Sequence, residues 1–238
     1  DGRIKIGLSQ SELEKLAQSK NVLKLSRADL AACLAQKNTG ATTVAATIIV
    51  ASLAGISVFA TGGIGGVHKG AESTFDISAD LHELSQTSVT VVAAGAKAIL
   101  DIPKTLEVLE TLGVPVIVYG QSDFPAFWSA KSGLKAPLRM DDAKEIATAH
   151  NYRRALGMSG GQLVANPIPR AHEITQEALK PIIKQAISEA EQHNILSKEV
   201  TPFLLGRIFE LTDGQSLKAN KELVFNNAKL AAKIAQFL

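Results

Sequence analysis

The chain has 238 residues, of which 46% are hydrophobic and 20% charged, a composition typical of a globular rather than a disordered protein. Its 25 basic and 23 acidic side chains leave a net charge of +2, so we expect neither nucleic acid nor a membrane as a partner. The only cysteine, Cys33, excludes an intrachain disulfide and a multi-cysteine zinc site. This cysteine usage fits a reducing compartment, and we expect a cytoplasmic protein, or an organellar one if a leader precedes the chain.

Short buried strands alternate with amphipathic helices along the chain. The first helix begins at a capping box, Ser9-Gln10-Ser11-Glu12, and ends near Gln18. Further helices are predicted at 26–36, 77–85, 104–112, 141–156, 175–192, 201–211 and 216–237, and strands at 21–25, 56–61, 90–94, 114–119 and 160–166. This order predicts a single-domain α/β fold over residues 1–238, layered α/β/α with a mainly parallel central sheet.

The stretch from Val44 to Ala60 is nearly all apolar, so a membrane-spanning helix must be considered there. Hydroxyl side chains dilute the stretch and Gly55 interrupts it, while the residues after Gly55 favour a β-strand. The pattern therefore predicts a buried helix of small residues followed by a buried strand.

A glycine-rich loop follows that strand, in the sequence Phe-Ala-Thr-Gly-Gly-Ile-Gly-Gly-Val-His-Lys-Gly at 59–70. Glycines let backbone N–H groups approach an anion closely, and Thr61, His68 and Lys69 could add donors. A tight turn between a strand and a helix would explain the same glycines. The pattern matches neither a Walker loop nor a dinucleotide-binding fingerprint.

Lys97 comes directly after a second buried strand, in the segment Ala94-Gly95-Ala96-Lys97. The carboxyl ends of parallel strands are where sites form in α/β proteins. Burial there would lower the pKa of the lysine and leave a nucleophilic amine able to form a Schiff base with a carbonyl compound. A lysine that extends from the strand end to the surface is the alternative.

Asp76 and Asp80 are four residues apart and share one face at the start of a predicted helix. Carboxylate oxygens of this kind suit Mg²⁺ or Mn²⁺ held mostly through water. From the residues alone, capping of the helix by Asp76, with Asp80 in solvent, is the favoured explanation of the pair.

Seven segments of the chain carry a family resemblance that extends over essentially its whole length. They lie, in this order, at 59–68, 75–80, 94–97, 109–115, 164–169, 201–205 and 223–227. Together they closely resemble the pseudouridine-5′-phosphate glycosidase family, which is also known by the name of indigoidine synthase A. The resemblance implies a reversible reaction in which pseudouridine 5′-phosphate and water give uracil and ribose 5-phosphate.

The resemblance also implies a mechanism and a cofactor. The ribose ring opens, and the lysine at the position of Lys97 forms an imine at the anomeric carbon, which serves as an electron sink while uracil leaves. The family's Mn²⁺ ligand falls on Asp76. Homotrimers are typical of the family, so we expect a homotrimer.

Substrate contacts of the family fall on several positions of this chain. Asn220 matches a position near the base, and Thr61 and His68 lie in the glycine loop beside the sugar phosphate. The remaining contacts fall on Lys24, Val44, Ser78, Ala79 and Asp80.

One departure from the family pattern affects the expected activity. Family members carry a general acid/base glutamate in a segment that precedes the part matching Asp1-Gly2-Arg3, and Glu12 and Glu14 do not match it. We therefore expect a fragment of a longer enzyme with reduced activity, since a general acid contributes about 10²–10⁴-fold in rate. An aldolase-like lyase acting on another phosphorylated sugar, or an inactive truncated relative that binds phosphosugars, remain as alternatives.

Overall fold

The computed structural model describes residues 2–193, 195 and 199–238. A small two-stranded parallel sheet comes first in the chain, formed by β1 (Leu23–Leu25) and β2 (Gly40–Thr42). The main sheet has five strands, all parallel, in the spatial order β3-β4-β7-β5-β6. They are β3 (Val58–Ala60), β4 (Thr90–Ala93), β5 (Val116–Tyr119), β6 (Leu138–Met140) and β7 (Gln162–Ala165).

Ten α-helices lie within the described part of the chain. They are α1 (Gln10–Gln18), α2 (Leu30–Ala35), α3 (Val44–Leu53), α4 (Ala71–Thr74), α5 (Ala79–Gln86), α6 (Ile102–Thr111), α7 (Ala143–Ala155), α8 (Gln176–Gln192), α9 (Val200–Leu211) and α10 (Gln215–Ala235). The predicted capping box of α1 is confirmed, because the Ser9 side chain accepts from the Glu12 backbone while the Glu12 side chain accepts from the Ser9 backbone.

The main sheet has helices on both faces, as the layered prediction requires. Val91 and Ala93 of β4 point into the larger core, which includes residues of α3, α5, α6, α8 and α9. Val92, between them, points to the opposite face, where it joins a smaller core with residues of α7 and α10. Because every residue of β4 is buried, the strand after Thr90 is a continuous apolar run, at 91–93, instead of an alternating pattern.

The apolar stretch after Val44 belongs to the core. It forms α3, whose Ala45, Ala46 and Ile48 are fully buried, and then β3 at the edge of the main sheet. Among the described residues, no helix combines the length and the apolar character needed to cross a bilayer.

Four short elements were absent from the prediction: β2, β6, α4 and a 3₁₀ turn at Arg170–His172, each of three or four residues. The predicted helix at 26–36 is also divided into a 3₁₀ turn at Arg27–Asp29 followed by α2. The helix predicted at 77–85 begins later, at Ala79, because the Ser78 side chain caps it by accepting from the Asp80 backbone.

Candidate active site

The segments that follow β3 and β4 extend side by side beyond the carboxyl edge of the main sheet. Ala94 N–H donates to the Gly62 carbonyl at 2.9 Å, and Ile64 N–H donates to the Gly95 carbonyl at 3.1 Å. Lys97 N–H then donates to the Ile64 carbonyl, also at 3.1 Å. The backbone of Lys97 is therefore hydrogen-bonded to the glycine loop, as expected for the ends of two neighbouring parallel strands.

Two glycines of this loop are needed for close packing. A Cβ atom on Gly65 would lie 2.2 Å from the Ser78 hydroxyl oxygen, and one on Gly63 would lie 2.7 Å from the Phe127 ring. Neither distance is compatible with a side chain unless its neighbours move. At these two positions the tight-packing explanation of the glycines applies.

The Asp80 carboxylate connects three elements of the site. Asp80 is 4% exposed and lies in the first turn of α5. One of its oxygens accepts from the Ala45 backbone N–H at 2.7 Å, and the other accepts from the Gly65 N–H at 2.8 Å. Because Ala45 is in the first turn of α3, the negative charge also interacts favourably with the dipole of that helix.

Lys97 is partly buried, and the burial changes its acid–base behaviour. Desolvation lowers the pKa of its ammonium group, the Asp80 carboxylate opposes that shift, and the positive charge of Lys24 adds to it. Together these influences keep the pKa below its ordinary value, so more of the lysine is free amine at neutral pH. A free amine is the form that attacks a carbonyl carbon.

His68 comes at the end of the glycine loop that is farther from β3 along the chain, and there it contacts Asp76. The His68 backbone N–H donates to the Asp76 carbonyl at 3.0 Å, and the two side chains approach to 4.0 Å between Nδ1 and Oδ2. Desolvation lowers the pKa of His68; Asp76 opposes this shift, and Lys97 and Lys24 increase it. The same two lysines act on His68, which places all these charged side chains in one cluster.

A metal ion could be held here through one carboxylate. Among the described residues, no three His, Cys, Asp or Glu side chains form a group that could hold a metal. Both oxygens of Asp80 already accept backbone N–H groups, so Asp76, whose side chain is 39% exposed, is the available member of the predicted pair. The arrangement fits a Mg²⁺-like or Mn²⁺-like ion held mostly by water, and it does not fit a cage of protein ligands.

Two helix N-termini adjoin this cluster. Thr43 caps α3, whose first residue is Val44, and Ser78 caps α5, whose first residue is Ala79. Their backbone N–H groups and positive dipole ends favour a bound anion. Lys24 is the central residue of β1 and leads through Leu25, whose carbonyl accepts from the Thr43 N–H, to the start of α3.

Helix α10 supplies the other wall. The Asn227 side chain donates to the Thr61 carbonyl at 2.8 Å, and Asn220 accepts at its Oδ1 from the Trp128 indole N–H at 2.9 Å. Sequence reasoning missed the parts of Trp128 and Asn227. Asn227 lay within one of the matching segments, whereas for Trp128 the only signal was its being the single tryptophan of the chain.

The structure thus brings most of the predicted site residues to one edge of the sheet. Lys24, Lys97, His68, Asp76 and Asp80 share a cluster of interacting charges. Thr61, Val44, Ser78, Ala79 and Asn220 join it through the strand end, the two helix starts and α10. Contact of these side chains with a ligand stays a prediction. Lys69, by contrast, is exposed.

These features define an α/β enzyme with its site at the carboxyl edge of a parallel sheet, around a desolvated lysine. The chain belongs to the family described as indigoidine synthase A like protein, whose profile matches residues 1–237.

Curated relatives match over nearly the whole chain. A pseudouridine-5′-phosphate glycosidase of Jannaschia sp. (strain CCS1) is 68% identical over 238 residues, covering 100% of this chain and 79% of that protein. A protein of the same name from Staphylococcus aureus (strain MW2) is 56% identical over 235 residues, covering 99% of this chain and 76% of that protein.

Two solved structures share the fold. The prealnumycin C-glycosynthase AlnA, in complex with ribulose 5-phosphate, superimposes with a TM-score of 0.92 at 36% identity, covering 100% of this chain and 78% of that one. An indigoidine synthase A-like protein from Thermotoga maritima superimposes with a TM-score of 0.89 at 36% identity, covering 96% of this chain and 75% of that one.

Proposed function

We propose that this chain carries the catalytic lysine of a pseudouridine-5′-phosphate glycosidase, which cleaves the carbon–carbon glycosidic bond to give uracil and ribose 5-phosphate, reversibly. The observation that carries the proposal is the 68% identity, over the full 238 residues, to a relative of that name. The desolvated lysine and the C-glycosynthase complex with a five-carbon sugar phosphate support it independently.

Lys97 is the proposed nucleophile. Opening of the ribose ring breaks the C1′–O4′ bond, whose electron pair stays on O4′, where it takes a proton. The Lys97 amine adds at C1′ and loses a proton, which puts a nitrogen on the carbon that still bears uracil. When the C1′–C5 bond breaks, its electron pair goes to C5 of uracil, which takes a proton, and the sugar remains as an imine on Lys97. Water then hydrolyses the imine, releasing ribose 5-phosphate and restoring the amine.

The surrounding residues have proposed binding roles that follow from their positions. The N-termini of α3 and α5, at Val44 and at Ser78-Ala79, together with Lys24, offer donors and positive charge to the substrate. Thr61 and His68 lie in the glycine loop for contact with the sugar phosphate, and Asn220 lies on α10 for contact with the base. Asp80 acts by holding α3 and the glycine loop in place.

We also propose Mn²⁺ as the cofactor and a homotrimer as the assembly. Asp76 would hold the ion, with water and substrate oxygens as its other ligands. A bound Mn²⁺ supplies positive charge that neutralises and orients an anionic substrate. Light scattering in solution tests the trimer.

Trapping of the imine tests the central step. The chain is incubated with ribose 5-phosphate and reduced with borohydride, and the modified residue is located by peptide mass spectrometry. We expect the sugar on Lys97 and no adduct in Lys97→Arg, because a guanidinium is not a nucleophile at neutral pH. Lys69→Arg, which changes an exposed lysine of the same loop, is the matched control and keeps the adduct.

Three outcomes would count against the proposal. An adduct spread over surface lysines, or one that persists in Lys97→Arg, would exclude the proposed nucleophile. Consumption of ribose 5-phosphate that does not depend on uracil would instead identify an aldolase-like lyase.

A further inference from the structure

The hydrogen bond between Trp128 and Asn220 fixes which way the asparagine amide faces. The Trp128 side chain is 1% exposed, and its Nε1 donates to Asn220 Oδ1 at 2.9 Å. An indole N–H is a donor only, so its partner must be the oxygen of the amide and not the nitrogen. The chemistry of the pair therefore decides the orientation of the amide.

The two N–H groups on the amide nitrogen of Asn220 remain available as hydrogen-bond donors. Among the described residues, none accepts a hydrogen bond from Asn220 Nδ2, although the side chain is only partly exposed. A partly buried amide group without a protein partner favours a ligand that supplies an acceptor.

We propose that Trp128 is a positioning residue that holds the Asn220 NH₂ group toward C4 of the base. The site then accepts a pyrimidine with a carbonyl oxygen at C4 and discriminates against one with an amino group there. This inference rests on the proposed function, in which Asn220 contacts the base. It assigns Trp128 a part in substrate specificity through Asn220, without contact with the substrate.

Trp128 is itself held at the edge that carries Lys97. The preceding residue, Phe127, has a φ of 61° and donates its backbone N–H to the Ala94 carbonyl, directly after β4, at 3.0 Å. Its ring packs edge-on against the Trp128 ring with 4.9 Å between centroids. A left-handed backbone at a bulky residue is unusual and is kept only where the surroundings determine it. The base-reading amide is thereby tied to the strand that positions the lysine.

The test compares uracil, which has a carbonyl at C4, with cytosine, which has an amino group there. Binding of each base is measured by calorimetry, without ribose 5-phosphate so that no bond forms, for the wild-type chain, Trp128→Phe and Asn220→Asp. In the wild type we expect uracil to bind more tightly. In Trp128→Phe the amide is free to turn over, so we expect uracil affinity to fall about five- to tenfold, with a smaller uracil-to-cytosine ratio.

Asn220→Asp replaces the NH₂ donor by an acceptor oxygen in a side chain of nearly the same size. An aspartate still accepts from the Trp128 N–H, but it presents an oxygen where the NH₂ group was, so we expect cytosine to be preferred over uracil. Asn226→Asp is the matched control on the same helix: its amide donates to the Pro167 carbonyl at 3.0 Å, and we expect the ratio to stay at its wild-type value.

Trapping of ribose 5-phosphate distinguishes a specific effect on base binding from general structural damage to the site. Borohydride trapping of ribose 5-phosphate on Lys97 should proceed at the wild-type rate in Trp128→Phe, whereas general damage to the site would slow it. An unchanged base ratio in Trp128→Phe, or a retained uracil preference in Asn220→Asp, overturns the inference; if Trp128→Phe fails to fold, Asn220→Asp decides alone. Failure of the proposed function would give a different result from failure of this inference: the wild type would bind neither base and would show no Lys97 adduct.

Discussion

Replacement of Asp80 by asparagine tests how the site is held together. The Asp80 carboxylate is 4% exposed and accepts two backbone N–H groups, from Ala45 at 2.7 Å and from Gly65 at 2.8 Å. In Asp80→Asn, one of those positions receives an NH₂ group instead of an oxygen. Two donors then face each other in a buried place, and the remaining hydrogen bond loses its charge.

The magnitude follows from those two contacts. A hydrogen bond to a charged group contributes about 1.5–3 kcal/mol, and an unsatisfied buried donor costs about 1–3 kcal/mol. Since one bond is lost and the other weakened, with some relaxation, we expect the free energy of unfolding to fall by about 2–4 kcal/mol. For a chain of this size that corresponds to a drop in Tm of roughly 4–16 °C. Urea and thermal unfolding measure it.

The same substitution should change the pH dependence of imine formation. The Asp80 charge raises the pKa of Lys97 against the lowering by burial, so its removal leaves the amine free at lower pH. We expect the pH at which borohydride trapping of ribose 5-phosphate reaches half its maximal rate to move downward in Asp80→Asn. The trapping rate is measured over a pH series.

Glu83→Gln is the matched control for the Asp80 experiment. Glu83 is also buried on α5, at 1% exposure, but its carboxylate pairs with Arg27 and Thr87 and does not act on Lys97. We expect this variant to lose stability while keeping the wild-type trapping profile. An Asp80→Asn chain as stable as the wild type, or with its profile displaced to higher pH, would refute the reasoning.

Two further predictions concern metal binding and acid stability. Asp76→Asn removes the carboxylate proposed to hold Mn²⁺, so the Mn²⁺ affinity measured by electron paramagnetic resonance should fall, and an unchanged titration would discard Asp76 as the ligand. Burial, with help from Arg154 and Arg153, lowers the pKa of His150 below its ordinary 6.5, so the unfolded chain binds a proton first and stability falls as the pH drops below about 6.5. In His150→Gln the urea stability should decline less between pH 7 and 5 than in the wild type, whereas His82→Gln, at an exposed position, should decline as the wild type does.

The parts of the fold that the sequence predicted are those whose burial leaves a local pattern. β4 and β7 are buried along their whole length, and after a polar first residue, Thr90 or Gln162, each is a short apolar run of the kind that buried strands show between helices. β2 and β6 have no such run, since one is Gly-Ala-Thr and the other Leu-Arg-Met, mostly exposed. They are strands because they pair with β1 and β5, a relation between distant segments that no local pattern contains.

The site likewise has residues that the sequence could predict and residues that it could not. Lys97 and the glycine loop could be placed together from the sequence, because each follows a buried parallel strand and such strands end at one edge. The role of Asp80 could not, since its partner Ala45 lies 35 residues away along the chain. Trp128 and Asn220 are 92 residues apart, and only the fold brings the indole to the amide.

The surroundings of Lys97 explain how its amine can lose a proton although the Asp80 carboxylate interacts with it. Asp80 favours the charged ammonium, which opposes catalysis by an amine, yet its oxygens join α3 to the glycine loop and cannot be spared. Burial is the largest influence and lowers the pKa of Lys97, and Lys24 lowers it further, so that together they outweigh the opposing effect of Asp80. A carboxylate needed for structure is thus tolerated because desolvation and a second lysine together keep the pKa of Lys97 low.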